Sequence, residues 1–153
     1  FKIMIKKILL LLLITTLTNC GYSPIYSKKN SSDLIINKYQ LNGDKKLDKK
    51  IISLLGLKSK NKENTDYELI LESKKILETV AKDKTGSISV YRTSVLVKIL
   101  LNKNNKKVKR KEFSSAFTYN NLENKFDLSE YQKNIEKNLI DKIAEEIFIF
   151  LNT

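Results

Sequence analysis

The sequence predicts a small α+β domain: a mostly antiparallel four-stranded sheet with two helices packed on one face, in the order strand–helix–strand–strand–strand–helix. Three observations predict it. Residues 67–120 fall into long runs of alternating apolar and polar side chains, parted by two short polar turns. Residues 128–151 carry apolar side chains at three- and four-residue spacing, the period of a helix buried along one stripe. A shorter stripe of the same period occupies residues 47–55, just after a brief β-like run.

The chain ahead of this domain is built differently. From Met4 it reads Met4-Ile5-Lys6-Lys7, a short basic segment, then Ile8 to Ile14, all apolar, before Thr15 and Thr16 interrupt. A spanning helix needs about 20 apolar residues, so this run reads as a secretory signal. Leu17-Thr18-Asn19-Cys20 follows and holds the only cysteine of the chain. We divide the chain into a signal peptide (1–19), an N-terminal tether that begins at Cys20 (20–32) and one folded domain (33–153). Removal of residues 1–19 leaves 134 of the 153 residues, enough to bury a core without disulfides or metals.

Residues 25–32 are polar with a Ser/Asn cluster and read as tether or loop. Leu34 to Leu41 is the first expected strand, with Ile35, Asn37, Tyr39 and Leu41 on one face. Asn42-Gly43-Asp44 is a turn, and Asp44 is placed to cap a helix starting at Lys45. Leu47, Ile51, Leu54 and Leu55 form its stripe, and Gly56 its stop. Tyr67, Leu69 and Leu71 alternate with Glu68, Ile70 and Glu72 in a strand expected to reach Val80. The next strand runs from Ile88 to Leu101, and the last from Lys107 to Asn120, across an asparagine-rich turn suited to positive φ. Short turns make these pairings antiparallel. Asp127 with Glu130 is the expected cap of the closing helix.

The formal charge is +12, of which Lys2, Lys6 and Lys7 supply +3. The remaining field favours anionic partners: nucleic acid, acidic lipid or phosphorylated glycan. Abundant lysine, asparagine and isoleucine also fit an AT-rich coding bias, so charge alone assigns no ligand. The chain has no histidine and one cysteine, which excludes a Cys/His zinc site, a Cys/His nucleophile and a Ser/His/Asp triad. Its four glycines are scattered and form no phosphate loop. The carboxylates read as surface ion pairs, so the protein is not expected to be an enzyme. Phe113, Phe117 and Tyr119, with Lys109, Arg110 and Lys111 nearby, have the composition of a nucleic-acid platform. Aromatic faces more often pack under a helix, the ribonucleoprotein aromatic motif is absent, and nucleic acid is not the expected partner.

Several stretches together resemble a known family. Leu17-Thr18-Asn19-Cys20 resembles the lipobox of bacterial lipoproteins, departing from it at Asn19, where Gly, Ala or Ser is preferred. Cys20-Gly21-Tyr22-Ser23-Pro24-Ile25-Tyr26 is similar to the Cys-Gly-aromatic-x-Pro-Leu-Tyr opening of alphaproteobacterial lipopolysaccharide-assembly lipoproteins, the LptE family. Thr85-Gly86, Tyr91-Arg92, Phe113 to Asn120, Ile143 to Ile147 and the element order extend the likeness over nearly the whole chain. The resemblance implies a covalent lipid on Cys20, N-acyl and S-diacylglycerol, and no other cofactor. It implies an outer-membrane lipoprotein on the periplasmic face that plugs an LptD-type β-barrel, assists its assembly and helps deliver lipopolysaccharide. By position it implies lipopolysaccharide contacts at Lys82, Lys84, Arg92 and Lys125. The rival readings are an accessory lipoprotein of another envelope lipid-transport system and a basic nucleic-acid-binding module.

Overall fold

A computed structural model describes Ile36, residues 38–57 and residues 67–153. The expected signal peptide, the tether, Cys20 and the start of the first strand lie outside the described residues. Six elements follow in the expected order: β1 (Lys38–Leu41), α1 (Lys45–Leu55), β2 (Tyr67–Lys82), β3 (Ile88–Lys103), β4 (Lys106–Asn120) and α2 (Lys125–Asn152). The sheet order is β1-β2-β3-β4, with β1 parallel to β2 and the other pairs antiparallel.

Both helices cover one face, so alternate residues of each strand meet opposite environments. Leu69 and Leu71 of β2, Val95, Val97, Ile99 and Leu101 of β3, and Phe113 and Tyr119 of β4 face the helices and are buried. From α1 they receive Leu47, Ile51 and Leu55, and from α2 Leu128, Ile135, Leu139, Ile140, Ile143, Ile147 and Leu151. Thr93 is buried on the same face, and its hydroxyl lies 3.1 Å from the Tyr119 hydroxyl, so each satisfies the other. The opposite face is open. There Glu72, Lys98 and Glu112 are neighbours across three strands, as are Glu78, Arg92 and Thr118, interleaved with Ile76, Ser94 and Ala116.

The local chemistry fixes the boundaries. The Asp44 carboxylate accepts from the backbone N–H of Lys46 and of Leu47 at 2.9 and 3.2 Å, capping α1. Gly56 ends it in the left-handed region at φ 59°. Asn104 and Asn105 both have positive φ (49° and 60°) and turn β3 into β4, the geometry that two-residue hairpins require. The turn is therefore tighter than the five-residue span expected, and the paired strands extend to Lys103 and Lys106.

Two expectations are corrected. The cap of α2 is Asn124, not Asp127: the Asn124 side-chain oxygen accepts from the N–H of Phe126 and of Asp127 at 2.9 and 3.4 Å. Asp127 instead sits in the first turn, where its charge meets the positive helix end. On α1, Leu54 stands outside the buried stripe at 42% exposure, and Asp48 takes a fully buried place. Asp48 Oδ2 accepts from the Gly43 N–H at 3.0 Å, so the carboxylate ties the helix to the turn before it.

Candidate ligand and partner surfaces

The four basic residues proposed for ligand contact stand toward one end of the sheet, and two hairpin features put them there. β2 and β3 close through Asp83 to Ser87. The Asp83 carboxylate accepts from the Thr85 hydroxyl at 2.7 Å, the Thr85 N–H at 2.8 Å and the Ser87 N–H at 2.9 Å. These bonds, the Thr85 hydroxyl foremost, hold the Asp83 carboxyl below its usual range. Gly86, at φ 83°, completes the turn. Lys82 is the last residue of β2 and Lys84 lies at the tip, and both are exposed.

The segment after β4 returns to this hairpin. The Asn121 side-chain amide donates to the Ile88 carbonyl at 2.8 Å, and the Asn121 N–H donates to the Ser89 carbonyl. Lys125, the exposed first residue of α2, follows four residues later. Arg92 sits on the open face. Its Nε donates to the Thr118 hydroxyl at 3.2 Å, and its cross-strand neighbour on β2 is Glu78. The fold thus gathers Lys82, Lys84, Arg92 and Lys125 toward one end, and no hydrogen bond or ion pair joins one to another among the described residues.

Toward the same end of the sheet is a cleft that the periodicity did not reveal. Phe117, Thr118, Tyr119, Asn120, Leu122 and Tyr131 line an open space of about 470 Å³. Phe117 and Tyr131 belong to the core stripes by period, yet are 47% and 40% exposed. Phe117 lies between Phe113 and Tyr119, both buried under α2, so its exposure depends on how two elements pack, which no single run of sequence records. Phe126 and Leu77 are also exposed. The rest of the aromatic line is not available for stacking on a ligand. Phe113 packs edge-on to Phe150 at 5.7 Å, and Tyr119 edge-on to Tyr131 at 5.6 Å, beneath α2.

Among the described residues no group of three or more His, Cys, Asp or Glu side chains is placed to hold a metal. No described helix is long and apolar enough to cross a membrane.

No protein-family model matches the chain, and no curated protein matches it in sequence. Solved structures do match in fold. A rare lipoprotein B from Shewanella oneidensis superposes with a TM-score of 0.58 at 16% identity, over 75% of this chain and 93% of that one. A minor lipoprotein from Acinetobacter baumannii gives 0.55 at 15% identity, over 75% and 90%. A lipoprotein from Caulobacter crescentus, described as putative, gives 0.53 at 15% identity, over 76% and 87%. The described domain therefore has the fold of these bacterial lipoproteins, nearly end to end.

Proposed function

We propose that the chain is a bacterial lipoprotein of the LptE type, anchored to the outer membrane through lipid on Cys20 after removal of residues 1–19. Residues 20–32 are its tether and residues 33–153 its folded domain. It has no catalytic role. It plugs an LptD-type β-barrel from the periplasmic face and binds lipopolysaccharide during insertion into the outer leaflet. The observation that carries this reading is a conjunction. A domain with the fold of solved lipoproteins follows a basic-then-apolar leader and a Cys20-Gly21-Tyr22-Ser23-Pro24 junction.

Two surfaces support the finer parts. The open sheet face alternates Glu72, Lys98, Glu112, Arg92 and Glu78 with small and apolar residues. Such a surface suits the polar interior of a barrel better than a dry protein core. Lys82, Lys84 and Lys125 are exposed toward the same end of the sheet as the Phe117–Tyr131 cleft, and Arg92 is exposed on the opposite face. Cationic and aromatic groups at one end of the sheet match a ligand with phosphates and acyl chains.

Copurification after detergent solubilisation tests the partner: a stable complex with a large β-barrel is expected, and an inner-membrane transporter in its place overturns the assignment. Radiolabelled palmitate tests the anchor, with label expected on the wild type and absent from Cys20→Ala. Reversal of both hairpin lysines, Lys82→Glu with Lys84→Glu, is expected to weaken lipopolysaccharide binding by about tenfold or more. Unchanged affinity at physiological salt removes these lysines from the site.

A further inference from the structure

The chain comes into the sheet at the end opposite Lys82 and Lys84. Lys38, first in β1, is the partner of Glu68 at the start of β2, and Tyr67 is the partner of Lys103 at the end of β3. The Tyr39 hydroxyl donates to the Leu57 carbonyl at 3.3 Å, so the end of α1 stands there too. This end is capped by the β3–β4 hairpin. From Lys103 to Lys111 the hairpin carries six cationic side chains and no carboxylate.

Among the described residues that charge is not neutralised in place. Lys103 and Lys106 are direct cross-strand neighbours, a like-charge pairing that destabilises a sheet. Among the described residues the ion pairs near this end are Lys38–Glu68 at 3.5 Å and Arg110–Glu112 at 3.7 Å. Lys109 and Lys111 are engaged with the end of α2. Lys109 donates to the carbonyls of Phe150 and Leu151, and Lys111 lies over the rings of Phe113 and Phe150. Lys103 stands over the Tyr67 ring at 5.1 Å, while Lys106 and Lys107 are exposed and form no ion pair among the described residues. Val108 and Ile149, 49% and 55% exposed, add apolar groups at the same end. Lysine-rich composition does not account for the segregation. In the same chain α2 carries four lysines against six carboxylates.

We propose that this end is a docking surface for the anionic phospholipid leaflet that holds the lipid on Cys20. The proposal rests on the lipid-anchor reading. Cys20 lies 16 residues before Ile36, a span of at most about 55 Å. The tether therefore keeps the end where the chain comes in within that distance of the anchor, a limit it does not set for the Lys82–Lys84 end. Each cation brought to an anionic bilayer surface strengthens binding about fivefold, and salt screens the attraction beyond about 8 Å. Exposed apolar groups among cations match the boundary between headgroups and acyl chains. Docking in this way relieves the Lys103–Lys106 repulsion and points the Lys82–Lys84 hairpin away from the leaflet.

The test uses the mature lipidated protein reconstituted into vesicles of phosphatidylcholine, with and without 30% phosphatidylglycerol. Cys20 is blocked by lipid, so a fluorophore is attached through Val108→Cys or, at the far end, through Val80→Cys. Quenching by headgroup-labelled lipid is read. Severalfold more quenching at position 108 is expected with phosphatidylglycerol, with loss of the gain in 0.5 M salt and no gain at position 80. Lys106→Gln, Lys107→Gln and Arg110→Gln together are expected to abolish the gain; the salt response of the parent protein tests the same point should that variant misfold. Equal quenching at position 108 in both vesicles, or a gain at position 80 instead, overturns the proposal. A larger gain with lipopolysaccharide than with phosphatidylglycerol also overturns it. Failure of the anchor reading is distinguishable, because such a protein takes no palmitate label and associates with neither kind of vesicle.

Discussion

Gly43 shows how one residue joins two elements. A Cβ built there falls 2.1 Å from the Ser73 nitrogen and 2.3 Å from its carbonyl oxygen. The turn after β1 lies directly on the β2 backbone, where the Asn42 N–H donates to the Leu71 carbonyl and the Asp44 N–H to the Ser73 carbonyl at 2.9 and 3.0 Å. Gly43→Ala therefore forces the two backbones apart, with an expected loss of about 3 kcal/mol in denaturant unfolding. Two turns also carry a pH dependence. Asp44, bonded by the N–H groups of Leu47 and Lys46, and Asp83, bonded chiefly by the Thr85 hydroxyl, have carboxyl pKa values lowered from 3.8. A lowered folded pKa gives stability that is present above the unfolded value and lost as pH falls through the folded one. Thermal unfolding below pH 4 is expected to fall less steeply in Asp44→Asn than in the parent, since asparagine caps a helix without titrating. An identical slope removes Asp44 from the acid transition. Gly43 was legible in sequence only as a turn glycine; its close approach to Ser73 is a contact across 30 residues that no local pattern encodes.

At the scale of elements, the sequence was most informative where a period ran long. The three long strands were legible because each holds an alternating stretch and short polar turns part them. The alternation in β3 puts Val95, Val97, Ile99 and Leu101 on one face, at the centre of the core. Helix ends were less legible, because several residues near each end have capping chemistry. Asp127 with Glu130 offers a capping box, but Asn124 three residues earlier takes the role. The two assignments make different predictions. Asn124→Ala is expected to cost about 1 kcal/mol, and Asp127→Ala a smaller amount through the helix dipole, about 0.3–1 kcal/mol. A larger loss at Asp127 reverses the assignment. The other end of α2 has no basic residue in its last turn. It takes its cation from β4, where Lys109 reaches the Phe150 and Leu151 carbonyls at 3.1 and 3.4 Å. Such a cap from another element leaves no trace in the helix sequence. The candidate site divides the same way. Hairpin order places Lys82 and Lys84 at one tip, but the cleft of Phe117 and Tyr131 depends on how α2 packs on β4.

The whole molecule is a sheet with cations concentrated at one end, in the hairpin from Lys103 to Lys111, and mixed charge elsewhere. At the other end Asp83, Glu123 and Asp127 stand among Lys82, Lys84 and Lys125. Opposite charges do meet in the middle: Glu72, Lys98 and Glu112 lie side by side, and the Lys75 ammonium meets Glu136 at 2.8 Å. The ion pairs among the described residues are few, and each has at least one partner well exposed to water, so each contributes little. Against them stands a formal charge of +7 for the folded domain, which lacks Lys2, Lys6, Lys7, Lys28 and Lys29 and repels itself most in the compact state. Repulsion summed over the surface therefore outweighs the few pairs. Because both are screened by the same ions, the balance fixes the sign of the salt response. Stability is expected to rise, not fall, when sodium chloride is raised from 0.01 M to 0.3 M. A gain of about 1 kcal/mol corresponds to about 2–4 °C in Tm for a chain of this size. The measurement is thermal unfolding of the folded domain across that range, with sodium chloride kept as the only variable. Replacing Lys106 and Lys107 by glutamine removes two cations from the crowded hairpin and is expected to raise Tm at low salt and flatten the response. A Tm that falls with added salt in the parent protein shows instead that attraction between the paired charges dominates the fold.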